Sequence, residues 1–253
     1  MKAKKHFGQH FLTNADTAKQ IVESLDELEE NKVLEVGPGM GVLTEFLIEG
    51  AKRLKVVEID EDAANYVQNK WPNLEIIRGD FLKISLESCF DSNYSIIGNF
   101  PYNISSQIVF KIIENSEYIN QWVGMFQLEM GNRLIAVPHN KQYGILSVLL
   151  PFYYRAEKVM TLPPGAFNPP PKVNSIVLKA TRVKHQFKCD PKLLKRVVKT
   201  AFNQRRKVLS NSLSSILPKE VLNTSQFANL RPENLSPQQF EELSEFIERN
   251  VGN

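Results

Sequence analysis

The run Lys32-Val33-Leu34-Glu35-Val36, broken by Gly37-Pro38-Gly39-Met40-Gly41, constrains the fold more than any other feature of the chain. A short β-branched run that stops at a glycine-rich turn, followed by Leu43, Phe46, Leu47 and Ile48 at helical spacing, spells strand, tight turn, helix. Such a turn lets the backbone approach a ligand closely. The spacing is G-x-G-x-G, not G-x-G-x-x-G, and Glu35 stands just ahead of it. A carboxylate there would repel a pyrophosphate and favours a ligand carrying an amine or another cationic group.

The unit then repeats. Residues 54–60 read as a strand closing on Glu58, about twenty positions after the turn, where an acid is placed to hold ribose hydroxyls. Asp60 reads as the cap of the next helix. A third strand at 74–78 ends in Gly79-Asp80-Phe81, with Asp80 placed to accept from a purine amino group and Phe81 alongside. Further strands are expected at 94–97, 121–127, 146–154 and 173–178. Strands alternating with helices imply a mostly parallel sheet with right-handed crossovers, and the candidate residues all fall at carboxyl ends of strands, where open α/β sheets bind ligands.

The fourth strand leaves by an unusual exit, Gly98-Asn99-Phe100-Pro101-Tyr102-Asn103-Ile104-Ser105. Proline pushes Phe100 to extended geometry and so fixes the direction of its carbonyl. Beside it stand a side-chain amide with one acceptor oxygen and an aromatic face. Two acceptors and a stacking ring suit a flat heterocycle with an exocyclic NH2, such as adenine at N6.

Composition bounds the rest. A chain of 253 residues with 42% hydrophobic residues can bury an ordinary core without a staple. Cys89 and Cys189 match no metal spacing and read as free thiols. No apolar run reaches a membrane span, and the opening Met1-Lys2-Ala3-Lys4-Lys5-His6 lacks a signal-peptide core, so a cytoplasmic protein is expected. Phe7, Phe11 and Leu12 suggest an opening segment that packs back onto the body. The loop 162–172, stiffened by Pro163, Pro164, Pro169, Pro170 and Pro171, projects Phe167 as a clamp for a base. Beyond Arg182 the strand signals stop. Helical periodicity follows at 191–200, 207–216 and 236–247, dividing the chain into 1–182 and a helical domain, 183–253. Residues 181–210 hold ten Lys or Arg against Asp190 alone, a balance that points to a polyanionic partner such as nucleic acid.

Glu35-Val-Gly-Pro-Gly-Met-Gly41, Glu58, Gly79-Asp80, Asn99-Phe-Pro-Tyr102 and the Phe167 loop, in this order, resemble the S-adenosylmethionine-dependent adenine-N6 methyltransferases. Phe7-Gly8-Gln9-His10-Phe11-Leu12, Phe167-x-Pro-x-Pro-Lys-Val173, Ala201-Phe-Asn-Gln-Arg-Arg-Lys207 and Leu230-Arg-Pro-Glu-Asn-Leu235 narrow the resemblance, nearly end to end, to the KsgA/RsmA family of bacterial small-subunit rRNA adenine dimethyltransferases. The resemblance implies a seven-stranded Rossmann-like sheet with an antiparallel last strand, a helical C-terminal RNA-binding domain and S-adenosylmethionine as methyl donor. It carries cofactor contacts to His10, Leu12, Gly37, Glu58, Asp80 and Asn99, and catalytic roles to Asn99, Phe100, Pro101, Tyr102 and Phe167; no metal is implied. Two positions depart from the family pattern: His10 stands where Asn is usual, and Phe100 where Leu is usual.

The implied reaction is N6,N6-dimethylation of two adjacent adenosines near the 3' end of 16S rRNA, in the small ribosomal subunit or its precursor; a monomer is expected, since no apolar self-association stripe stands out in the sequence. The rivals are a 23S rRNA dimethyltransferase of the antibiotic-resistance type and a catalytically silent assembly factor on the same fold. An adenine-N6 DNA methyltransferase fits less well, since no target-recognition insert follows the catalytic loop.

Overall fold

The structure is a computed structural model and describes residues 9–251. The opening lysines, Phe7 and Gly8 lie outside the described residues. By compactness the chain divides into two units: one runs to Gly131 and resumes over Arg155–Arg182, the other comprises Asn132–Tyr154 and Val183–Asn253.

The first unit is built on a sheet. Its elements in chain order are β1 (Phe11–Leu12), α1 (Ala15–Glu23), β2 (Lys32–Val36), α2 (Thr44–Gly50), β3 (Arg53–Glu58), α3 (Glu61–Lys70), β4 (Glu75–Arg78), β5 (Tyr94–Asn99), α4 (Ser105–Glu114), β6 (Ile119–Gln127) and α5 (Leu128–Leu134). The seven-stranded sheet has the order β4-β3-β2-β5-β6-β9-β7, where β7 is Tyr154–Leu162 and β9 is Ser175–Arg182. The pairs β2–β3, β2–β5, β3–β4 and β5–β6 are parallel, and β9 runs antiparallel to β6. The chain reverses direction across the sheet between β2 and β5. At such a switch point the loops leaving neighbouring strands diverge and open a crevice.

Local chemistry explains the element ends. Asn14 caps α1 by accepting from the Thr17 N–H at 2.7 Å, and Asp60 caps α3 by accepting from Asp62 N–H at 3.1 Å. Val33, Leu34, Val36, Val56, Ile96 and Ile97 are buried, as a sheet covered on both faces requires. A second, two-stranded sheet pairs β1 with β8 (Phe167–Asn168) in antiparallel register, Phe11 opposite Asn168 and Leu12 opposite Phe167. The opening segment therefore does dock on the body, through Leu12, which is buried in the core with Val123, Met125 and Val177.

One expected strand is absent. Residues 146–154 form α6 (Ile145–Leu149) and a 3-10 turn (Leu150–Phe152), and the strand follows them, as β7. A helix buried on nearly all sides, with Leu146, Val148, Leu149 and Leu150 inaccessible, shows no polar face and so has no period to read.

In the second unit α7 (Pro191–Asn203) buries Leu194, Val197, Val198 and Ala201 at helical spacing. The short helices α8 (Leu209–Ser212) and α9 (Lys219–Leu222) follow, and α10 (Pro237–Asn250) opens with a capping box at Ser236 and Gln239. Phe202 stacks on Phe240 at 5.8 Å, and Tyr143 meets Phe202 edge-on at 6.0 Å while donating to the Leu235 carbonyl at 2.8 Å. This unit takes in 132–154 as well as the residues beyond 182, which corrects the simple division at 182/183. Residues 132–154 belong there because Tyr143 and its neighbours supply part of that core. Among the described residues, no helix is long and apolar enough to cross a membrane.

Candidate active site

A cavity of about 270 Å³ opens at the carboxyl ends of β2, β3, β4 and β5. Its lining includes His10, Leu12, Glu35, Gly37, Glu58, Asp80, Asn99, Phe100, Pro101 and Tyr102. The structure thus brings together every sequence-derived candidate except Phe167.

The glycine turn forms one wall. Gly37 has φ +70°, and a Cβ there would meet no atom within 4 Å, so its missing side chain leaves space on the cavity side. Gly39 and Gly41 are tighter: added Cβ atoms would strike the Phe11 ring at 2.8 Å and the Trp71 ring at 2.4 Å. The turn is tied by the Gly41 N–H to the Pro38 carbonyl at 2.8 Å and by the Gly37 N–H to the Val57 carbonyl at 2.9 Å.

The acids differ in character. Glu58 accepts from the Asp60 N–H at 2.8 Å and the Gly39 N–H at 3.3 Å; burial still pushes its carboxyl above the usual range, against the pull of those two bonds. Glu35 is 1% exposed and accepts from the Thr44 hydroxyl at 2.6 Å. Burial pushes it up to about 8, which Thr44 opposes and Glu58 reinforces. Burial therefore favours the protonated form of the acid expected from sequence. Asp80 accepts from the Leu82 N–H at 2.9 Å and stays half-exposed. Its loop is held from behind by Lys111, whose ammonium donates to the Ile84 carbonyl at 2.5 Å and lies 5.4 Å from the Phe81 ring centre. Burial lowers the Lys111 pKa, with Asp80 pulling it the other way.

The loop after β5 is fixed at several points. The Asn99 amide nitrogen donates to the His10 carbonyl at 2.6 Å. That bond sets the amide orientation, since the side-chain oxygen would face another acceptor if reversed. Among the described residues the Asn99 oxygen has no donor. Phe100 is fully buried over a facing pair of glycines, Gly98 and Gly124, which share a register position in β5 and β6. It meets Phe126 edge-on at 5.4 Å. The Tyr102 hydroxyl lies 2.6 Å from Ser175 Oγ, and burial raises its pKa.

Two expectations change. Phe167 is 3% exposed and packed in the core with Leu12, because the β1–β8 ladder points it inward; it does not clamp the cavity. The ring found against Tyr102 is His10, stacked at 5.4 Å with 24° between planes. His10 Nδ1 lies 2.7 Å from the Pro169 carbonyl, so that nitrogen carries the proton. Sequence also missed Ser175 and Lys111. Both act from behind the cavity, and only contacts across the fold reveal them.

The basic segment is less free than its charge suggests. The Arg182 guanidinium donates to the carbonyls of Ser116 and Glu117. Arg205 pairs with Glu233 at 2.7 Å and donates to the carbonyls of Lys141 and Asn140. Lys192, Arg196, Arg206 and Lys207 are exposed.

An open-edged α/β sheet with a nucleoside-sized cavity, a ribose-placed acid and an Asn-x-Pro-Tyr loop defines a methyltransferase that acts on an exocyclic amine. Residues 1–249 match the ribosomal RNA adenine dimethylase family, and the chain belongs to that family. It is a S-adenosylmethionine-dependent rRNA adenine dimethyltransferase. The chain is 47% identical to the ribosomal RNA small subunit methyltransferase A of Bacteroides fragilis over 98% of its length and 93% of the relative. It is 44% identical to the protein of the same name from Flavobacterium johnsoniae over 98% and 97% of the two chains. The structure resembles that of a dimethyladenosine transferase from Plasmodium falciparum, with a TM-score of 0.81 and 25% identity over 92% of this chain and 96% of that one. It shares the fold of the 23S rRNA methyltransferase ErmE, with a TM-score of 0.70 and 24% identity over 94% and 99%.

Proposed function

We propose that the chain transfers two methyl groups to N6 of each of two adjacent adenosines near the 3' end of 16S rRNA, in the small ribosomal subunit or its precursor, as a cytoplasmic monomer. The near-full-length identity to small-subunit enzymes supports that target over 23S rRNA. The observation that carries the chemistry is Asn99, whose nitrogen is committed to the His10 carbonyl and whose oxygen is left as an acceptor.

Adenine N6 is a weak nucleophile because its lone pair is shared with the ring. The Asn99 oxygen and the Phe100 carbonyl accept the N6 hydrogens, which favours a pyramidal nitrogen with its lone pair directed outward. Tyr102 holds the ring plane, so the gain is largely one of orientation. A π face beside the developing ammonium adds a cation–π contribution. The product ammonium loses its proton readily, and no strong base is required. For the second transfer only one N–H remains to be gripped.

S-adenosylmethionine, when bound, supplies an electrophilic methyl group on a sulfonium. The residues present fit it: Glu58 for the ribose, Asp80 for the adenine amine, Gly37 for close backbone approach, His10 and Leu12 as flanking wall, and Asn99 at the junction with the target base. The second unit, with Lys192, Arg196, Arg206 and Lys207 exposed, binds phosphates. The target base is flipped out of its stack to reach the loop.

The test uses purified protein, labelled S-adenosylmethionine and unmethylated small subunits, with large-subunit RNA alongside. Dimethyladenosine in small-subunit RNA alone, abolished by Asn99→Ala, is expected. Label in large-subunit RNA would instead make the target that of the resistance enzymes.

A further inference from the structure

Tyr102 is held by a residue that does not line the cavity. Ser175 is 0% exposed and is the first residue of β9, opposite Gln127 of β6. The carbonyl just before it, that of Asn174, accepts the Leu128 N–H at 2.9 Å, so the strand start is tied to the end of β6. Tyr102 belongs to no strand; it precedes α4, and its carbonyl accepts from the Ser105 hydroxyl at 3.1 Å. The bond between the two hydroxyls, 2.6 Å long, ties the tip of the Tyr102 side chain to a strand of the sheet.

Either hydroxyl can donate in that bond. If Tyr102 donated, the Ser175 hydroxyl proton would be buried without an acceptor among the described residues. If Ser175 donates, the Tyr102 proton is the one left without a partner among the described residues. In either direction the contact is one hydrogen bond, and removing either hydroxyl breaks it.

We infer that Ser175 is the positioning residue for Tyr102, setting the angle at which the aromatic ring meets the target base. This rests on the role proposed above for Tyr102. It predicts a signature distinct from a packing role: Ser175 governs the rate of transfer and leaves methyl-donor binding alone, because it lies outside the cavity lining.

The experiment compares Ser175→Ala, Tyr102→Phe, the double variant and Tyr102→Ala in methyl transfer to unmethylated small subunits, with donor affinity measured by calorimetry. The expected result is a kcat about tenfold lower in Ser175→Ala and Tyr102→Phe alike, the loss expected of one hydrogen bond acting in the transition state. The double variant then loses no more than either single one, and donor Kd stays unchanged in all three. Losses that multiply in the double variant, or a donor affinity that falls with kcat in Ser175→Ala, overturn the inference. So does a normal kcat in Ser175→Ala or Tyr102→Phe while Tyr102→Ala is inactive. Full activity in Tyr102→Ala would overturn the role of Tyr102 itself. If Ser175→Ala does not fold, Tyr102→Phe reads the same bond from its other end.

Discussion

Replacing Glu35 by Gln should make the protein's stability less sensitive to pH. Glu35 lies in β2 behind the glycine turn, 1% exposed, and its carboxyl is pushed up to about 8 mainly by burial. In the unfolded chain it returns to its ordinary value of 4.5. Between those values the folded state holds a proton that the unfolded state has released. The contribution is therefore fully present below pH 4.5 and is lost as pH rises through 8. Each unit in that window removes about 1.4 kcal/mol, and integrating from pH 6 to pH 8 gives a loss of about 2 kcal/mol. Glutamine keeps the Thr44 bond through its amide oxygen and carries no titrating proton. Urea unfolding at pH 6 and pH 8 is the assay. The gap between variant and wild type should swing by about 2 kcal/mol toward the variant at the higher pH. A gap that stays constant would show that Glu35 is ionised in the folded protein and that burial does not control it.

The same proton links to the cofactor. A cationic ligand seated beside Glu35 favours its ionised form, so binding should expel that proton. At pH 7 roughly a tenth of the free protein has Glu35 ionised, and donor affinity should rise about tenfold between pH 7 and pH 9 before levelling. Glu58 is shifted in the same direction, so comparison with Glu35→Gln isolates the part due to Glu35.

Lys111→Met removes the bond to the Ile84 carbonyl that braces the Asp80 loop; donor Kd should rise about tenfold, the cost of one charged hydrogen bond, with kcat at saturating donor unchanged. Gly124→Ala places a Cβ 2.4 Å from the Phe100 ring, and should cost about 1–3 kcal/mol in urea unfolding and depress kcat, since the loop it displaces is the one we propose to be catalytic. His10→Ala deletes the imidazole but keeps the carbonyl that holds Asn99, so kcat should survive within about twofold. A collapse of kcat there would mean the ring, not the main chain, orients the site.

Much of this was legible in the residues. The strand–turn–helix punctuation and the acids at strand ends follow from local chemistry, and Asp60 and Asn14 cap helices as their types predict. What was hidden has physical causes. The helix at Ile145–Leu149 is buried on all sides and looks like a strand. Phe167 is an aromatic in a stiff loop, which reads as an exposed clamp until the β1–β8 pairing turns it into the core. Arg205 counts as a free cation in any charge sum, yet it is spent on Glu233 and two carbonyls. Glu35 is an acid in sequence, and its burial, invisible there, is the main cause of its raised pKa.

The loop after β5 shows why the hidden contacts matter most. Asn99, Phe100 and Tyr102 are each fastened by a segment distant in sequence, and each by the atoms that the chemistry does not need. Asn99 is held by its nitrogen, through His10, and presents its oxygen. Phe100 is held by its ring, over Gly98 and Gly124, and presents its carbonyl. Tyr102 is held by its hydroxyl, through Ser175, and presents its face. A loop fastened this way has lost its freedom before the substrate arrives, so little of the binding energy is spent on ordering it. Loop composition explains which groups can face an adenine amine. The distant partners explain why those groups are held at fixed angles.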